Sequence, residues 1–160
     1  MKKALSIVLT LLLALTTYAF STGEYATYKC LIQLTNYGGE GAYVVVSLIN
    51  PHGEYERTLS MSGDDEEWYE DMPAWYEFYN GKKENIDGVT GASIISGGRK
   101  ITVLGIDPAK IDAGYKLRFE TAVEDKEYYE KDLEIDLTTE VANQRLKGEG
   151  YIRYVQLIKK

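Results

Sequence analysis

The chain has 160 residues, one cysteine, 25 acidic against 18 basic side chains and a formal net charge of −7. Such an acidic surface repels phosphate backbones and argues against a nucleic-acid partner. A single cysteine rules out an internal disulfide, so the core has to hold without a covalent staple.

The N-terminus reads "MKKALSIVLTLLLALTTYAFS". Lys2 and Lys3 form a positive head, Ala4 to Leu15 is almost wholly apolar, and Thr17-Tyr18-Ala19 is a small-x-small end. This is the pattern of a secretory signal over residues 1–19, with cleavage expected after Ala19 or a residue or two later. The apolar run falls short of the roughly 20 residues that a spanning helix needs. A periplasmic or otherwise secreted protein is expected. The mature part, 20–160, is read as one domain, and loss of both lysines takes its formal charge from −7 to −9. Cys30 follows "TYK", which lacks the small residues expected before a lipidated cysteine.

Tyr28, Cys30, Ile32 and Leu34 alternate at period two, as in a half-buried strand, which makes Cys30 a small core residue. "NYGGEG" is a turn, and "AYVVVSLIN" is β-branched enough for a central strand. "NPHGEY" carries Pro51 and Gly53 and predicts a hairpin into "YERTLSM". The next stretch breaks the period. Trp68, Met72, Trp75, Phe78 and Tyr79 recur at helical spacing. We expect an irregular turn at 64–70 and a short helix from about 72 to 79. Asp71 would cap it, Pro73 would sit in its first turn and Gly81 would end it. Its aromatic side would cover an open edge or end of the sheets. Ile94-Ile95 and Ile101-Thr102-Val103 flank Ser96-Gly97-Gly98-Arg99 and predict a second hairpin. Three more alternating strands follow. One carries Tyr115, Leu117, Phe119 and Thr121 on one face, the next Leu133, Ile135 and Leu137, and the last is "YIRYVQLIKK". Seven or eight short strands predict a mainly β fold, an immunoglobulin-like antiparallel β-sandwich with a short aromatic-rich helical insert. A barrel is the alternative.

Few residues suggest chemistry. His52 is the only histidine and lies in a turn, so a zinc site with usual ligands or a serine–histidine triad is not expected. Asp64-Asp65-Glu66-Glu67 lacks the spacing and central glycine of a calcium loop and reads as solvated charge. A hydrolase acting through paired carboxylates has no local pattern to support it. Fourteen tyrosines, and the run Trp68, Tyr69, Trp75, Tyr76, Tyr79, suit either an aromatic lid or a stacking wall for a flat ligand. "IDGVTGAS" holds two glycines, two hydroxyls and a leading aspartate, and by composition is a turn.

The last segment resembles the recognition motif of proteins modified by the secreted flavin transferase. Asp87, Gly88, Thr90, Gly91, Ala92 and Ser93 fit it in order. The resemblance implies that Ser93 receives FMN from FAD as a phosphodiester, although threonine is the commoner acceptor. More widely, "YVVVSLINPHGEYERTLSM", "WYEDMPAWYEFY", "IDGVTGAS" and "GGRKITVLGIDPAKIDAGYKLRFETAVE" resemble domain-of-unknown-function family 2271. That resemblance implies a periplasmic β-sandwich associated with flavin-based electron transfer and with membrane redox proteins of the PepSY type. A covalently flavinylated, non-catalytic carrier is therefore the leading expectation. Asp87 would help hold the transferase's metal, and Trp75 or Tyr76 would stack on the flavin. The alternative is a cofactor-free secreted β-sandwich serving as a binding or scaffold module.

Overall fold

A computed structural model describes residues 25–160, so the export signal expected at 1–19 lies outside the described residues. Strands β1 (Ala26–Leu34), β2 (Tyr43–Ile49) and β3 (Tyr55–Ser62) precede helix α1 (Pro73–Lys82). Strands β4 (Thr90–Gly91), β5 (Arg99–Ile106), β6 (Lys116–Ala122), β7 (Tyr128–Asp136), β8 (Arg145–Leu146) and β9 (Ile152–Lys159) follow. They form a four-stranded sheet, β5-β1-β9-β8, and a five-stranded sheet, β4-β3-β2-β6-β7. Pairing is antiparallel except for β3 with β4.

The main core lies between the sheets. Tyr28, Cys30, Ile32 and Leu34 of β1 pack with Val44, Val46 and Leu48 of β2 and with Leu117 and Phe119 of β6. Burial pushes the Cys30 thiol up to about 12, as expected of an inert core residue. The β2–β3 hairpin turns as its sequence predicts. Asn50 Oδ1 accepts from His52 N and Glu54 N at 2.9 and 3.0 Å, and Gly53 takes φ +85°.

The second expected hairpin is not formed. A turn does close, with Gly98 N donating to Ile95 O at 2.8 Å. Its two arms go to different partners. Ile94 bridges to Ala42, just ahead of β2, while β5 pairs with β1. The 94–99 segment is therefore a crossing between sheets, a long-range choice that local turn chemistry does not encode.

Helix α1 covers a sheet face rather than an edge or end. Val45, Met61 and Ala122 project from the outer face of the five-stranded sheet into a second core with Tyr69, Met72, Trp75 and Ile86. A β-bulge makes this possible. Val46 pairs with Ser60 but Ser47 with Thr58, which leaves Leu59 as the extra residue. Leu59 joins the inner core, whereas Met61 packs in the outer one and Thr58 binds the indole of Trp75. Asp71 does not cap α1. Asp65 instead caps a 3₁₀ turn, Glu66–Asp71, through Glu67 N at 3.1 Å. The helix runs past Gly81 and ends at Lys83, which takes the left-handed conformation.

Candidate functional site

The "IDGVTGAS" loop is pinned at both ends. Asp87–Val89 forms one 3₁₀ turn, entered through Asn85 Oδ1, which accepts from Asp87 N at 3.0 Å. Ile86 anchors the turn in the outer core. Thr90 Oγ1 donates to Ile86 O at 2.9 Å, so this hydroxyl closes the turn. Thr90 and Gly91 then pair with Met61 and Ser62, and Gly63 N donates to Gly91 O at 2.6 Å. Three residues after Gly91, Ile94 exchanges backbone hydrogen bonds with Ala42 at 2.8 and 2.9 Å. Only Ala92 and Ser93 span the gap between these anchors.

Ala92 is exposed and Ser93 half-buried. Ser93 Oγ has no hydrogen-bond partner among the described residues. Its side chain lies over Gly41. A Cβ at Gly41 would stand 3.0 Å from Ser93 Cβ and overlap Ser93 Oγ, so this glycine makes room for the hydroxyl. Asp87 and Gly88 are exposed.

Ser93 stands on the rim of two recesses of opposite character. One, of about 170 Å³, is walled by Tyr43, Trp68 and Ala122 and edged by Glu40, Asp71 and Glu124. Desolvation, then the neighbouring carboxylates Asp125, Glu40, Asp71 and Glu67, push Glu124 up from its ordinary value. The other, of about 260 Å³, is lined by Ala92, Ile94, Ile95, Gly98, Arg99 and Lys100. The loop thus separates an acidic, aromatic side from a basic one.

The model of a family described as predicted periplasmic protein (DUF2271) matches residues 25–154. The chain belongs to this DUF2271 family. The family's description agrees with the periplasmic location expected from the N-terminus. No helix among the described residues is long and apolar enough to cross a membrane. Comparison with curated proteins and with solved structures finds no match.

In this DUF2271 chain the two aromatics expected beside the loop stand elsewhere. Trp75 is fully buried. Its Nε1 donates to Thr58 Oγ1 at 2.9 Å, Tyr79 stacks on it at 5.0 Å and Tyr69 meets it edge-on at 5.1 Å. No face of its ring is left for a ligand arriving from solvent. Tyr76 is half-buried on α1, with Oη donating to Glu70 at 3.3 Å. Neither ring lines a recess beside Ser93. Trp68 does, and helical periodicity had placed it in one stripe with Met72 and Trp75. The 3₁₀ turn advances each residue by about 120° rather than 100°, which takes Trp68 out of that stripe.

Sequence periodicity also passed over a buried acid. Glu120 lies on the outer face of β6 and is wholly inaccessible. Tyr55 Oη donates to Glu120 Oε1 at 2.8 Å, and Tyr128 Oη donates to its Oε2. Burial pushes the carboxyl up to about 7, against the opposing pull of both tyrosines and of Arg118. Arg118 is itself held by Glu134 and Glu130. A carboxyl whose folded pKa is raised binds more protons than the unfolded chain between about pH 4.5 and 7. Stability therefore falls as pH rises through that window, by about 3 kcal/mol in all. We expect Glu120→Gln to flatten this slope and to be the more stable protein at pH 8. Urea unfolding at pH 5 and pH 8 checks it, and equal slopes for both proteins would acquit Glu120.

Proposed function

We propose that this protein is a periplasmic electron-transfer protein carrying FMN as a phosphodiester on Ser93 Oγ. The observation that carries the reading is the contrast between the loop's two hydroxyls. Thr90 Oγ1 is engaged with Ile86 O, whereas Ser93 Oγ sits unengaged on the rim of two recesses. The order of residues 87–93 supports the same assignment through its resemblance to the flavin-transferase motif.

The residues present fit a tethered flavin. Gly41 leaves the space that Ser93 occupies, and Trp68 and Tyr43 offer aromatic surface beside it. In attachment, Ser93 Oγ attacks the flavin-side phosphorus of FAD. The pyrophosphate P–O bond breaks, AMP leaves, and the hydroxyl proton passes to a base of the transferase. The exposed Asp87 carboxylate is available to the metal that the transferase brings. Once attached, flavin supplies one- and two-electron transfer, and this chain binds and orients it. A tether keeps the ring's local concentration high, so a shallow recess suffices. A membrane redox protein of the PepSY type is the electron partner we propose.

The test is expression of the full chain together with an active transferase, followed by denaturation. Flavin fluorescence that stays with the denatured band, and the mass increment of FMN, support the carrier. Their absence favours a cofactor-free binding module. Within the carrier reading, Trp68→Ala should keep the covalent mass but raise flavin emission, because a stacked indole quenches it. Such stacking contributes about 1 kcal/mol. Unchanged emission would remove Trp68 from the ring's surroundings.

A further inference from the structure

We propose that Lys100 forms an anion subsite for the phosphoryl oxygens of the flavin nucleotide; the proposal rests on the carrier reading above. Lys100 is the second residue of β5 and reaches across the edge of the sandwich towards β3 and β4. Its Nζ donates to Met61 O at 3.4 Å, and it stands 3.3 Å from where a Cβ on Gly91 would lie. Nearby, Ser60 Oγ donates to Thr102 Oγ1 at 3.2 Å, which places this side of β5 against β3. Lys100 thus stands against the same loop that presents Ser93.

Three observations point to an anion. Lys100 forms no salt bridge among the described residues, and one long contact to a carbonyl leaves most of its three donors unused. Its side chain is half-buried, so its charge is poorly hydrated, and Asp64 is near enough to act on it but not to pair with it, so a bound anion still gains there. The missing side chain at Gly91 leaves the approach to the ammonium open. Charge then sets the direction of the ligand. On one side of Ser93, Glu40, Asp71 and Glu124 repel a phosphodiester anion, while on the other Lys100 attracts it. The phosphate lies towards β5, and the ring is left for the side walled by Trp68. Lys100 is a positioning residue here, because it touches the linkage and not the ring's redox atoms.

The experiment needs no transferase for its first arm. The unmodified full chain is titrated with free FMN and with riboflavin, which differ only by the phosphate, and lysine side-chain resonances are followed by NMR. FMN should shift the Lys100 resonance and riboflavin should not. Lys100→Gln should weaken FMN binding about tenfold and leave riboflavin unchanged, whereas Lys100→Arg should retain most of the preference. Equal binding of FMN and riboflavin to the wild type, or FMN binding by Lys100→Gln equal to wild type, would overturn the subsite. The second arm measures covalent flavin on wild type and Lys100→Gln after expression with the transferase. If wild type gains no covalent flavin but still prefers FMN through Lys100, attachment falls and the subsite stands. If both proteins are flavinylated and Lys100→Gln matches wild type in the titration, the carrier stands and the subsite falls.

Discussion

Ser93→Ala is expected to give a folded protein that carries no covalent flavin at all. Alanine has no oxygen to join to phosphorus, so the loss is complete rather than graded. Folding should hardly notice, because Ser93 is half-buried in a loop and Ser93 Oγ has no hydrogen-bond partner among the described residues. A change within about 0.5 kcal/mol is the usual outcome for such a site. Intact mass of the denatured protein reads the flavin, and urea unfolding reads the fold. Thr90→Ala should reduce labelling without abolishing it, since it removes only the bond to Ile86 O that closes the turn. Ser93→Thr should keep or improve labelling. Covalent flavin persisting on Ser93→Ala would overturn the assignment. It would also be hard to place elsewhere nearby. Ser96 Oγ donates to Tyr37 O and accepts from Tyr37 N, both at bonding distance, and Thr90 is likewise engaged.

What the sequence made legible follows from the range of each interaction. Period-two alternation located β1, β7 and β9, and the β-branched run Val44-Val45-Val46 marked a central strand, because these patterns repeat within one element. The Asn50–Glu54 turn was legible because its hydrogen bonds close within five residues. The crossing at 94–99 was not, since Ile94 chooses Ala42 over a neighbour in sequence. Glu120 and Arg118 escaped notice for a related reason. The alternation along β6 marks one apolar face, whereas α1 and the flanking strands bury the other face too, polar residues included. At the candidate site, the local motif points to Ser93 but not to its surroundings. Gly41, Trp68 and Lys100 come from three separate stretches of chain, and only the sheet pairings and the packing of the 3₁₀ turn on the outer sheet face bring them to the loop.

The same reasoning sets apart two tryptophans that look alike in sequence. Trp75→Ala should lower stability by about 3–5 kcal/mol, because it empties a fully buried site roofed by α1. Small domains are stable by only about 5–15 kcal/mol, so about a fifth of the total or more is at stake. Beyond the cavity, Tyr79 loses its stacking partner and Tyr69 its edge contact. The damage has a route to the loop. Tyr69 Oη donates to Gly63 O at 3.2 Å, Gly63 N donates to Gly91 O, and Ile86 packs in the same cluster. Loosening this core should therefore slow flavinylation even though Trp75 touches neither recess. Any flavin that is attached should nonetheless keep its wild-type absorbance in the folded variant, since Trp75 is fully buried and lines neither recess. Urea unfolding measures the first effect and the visible spectrum the second. A displaced flavin band in folded Trp75→Ala would put this indole at the ring and overturn the assignment of that contact to Trp68.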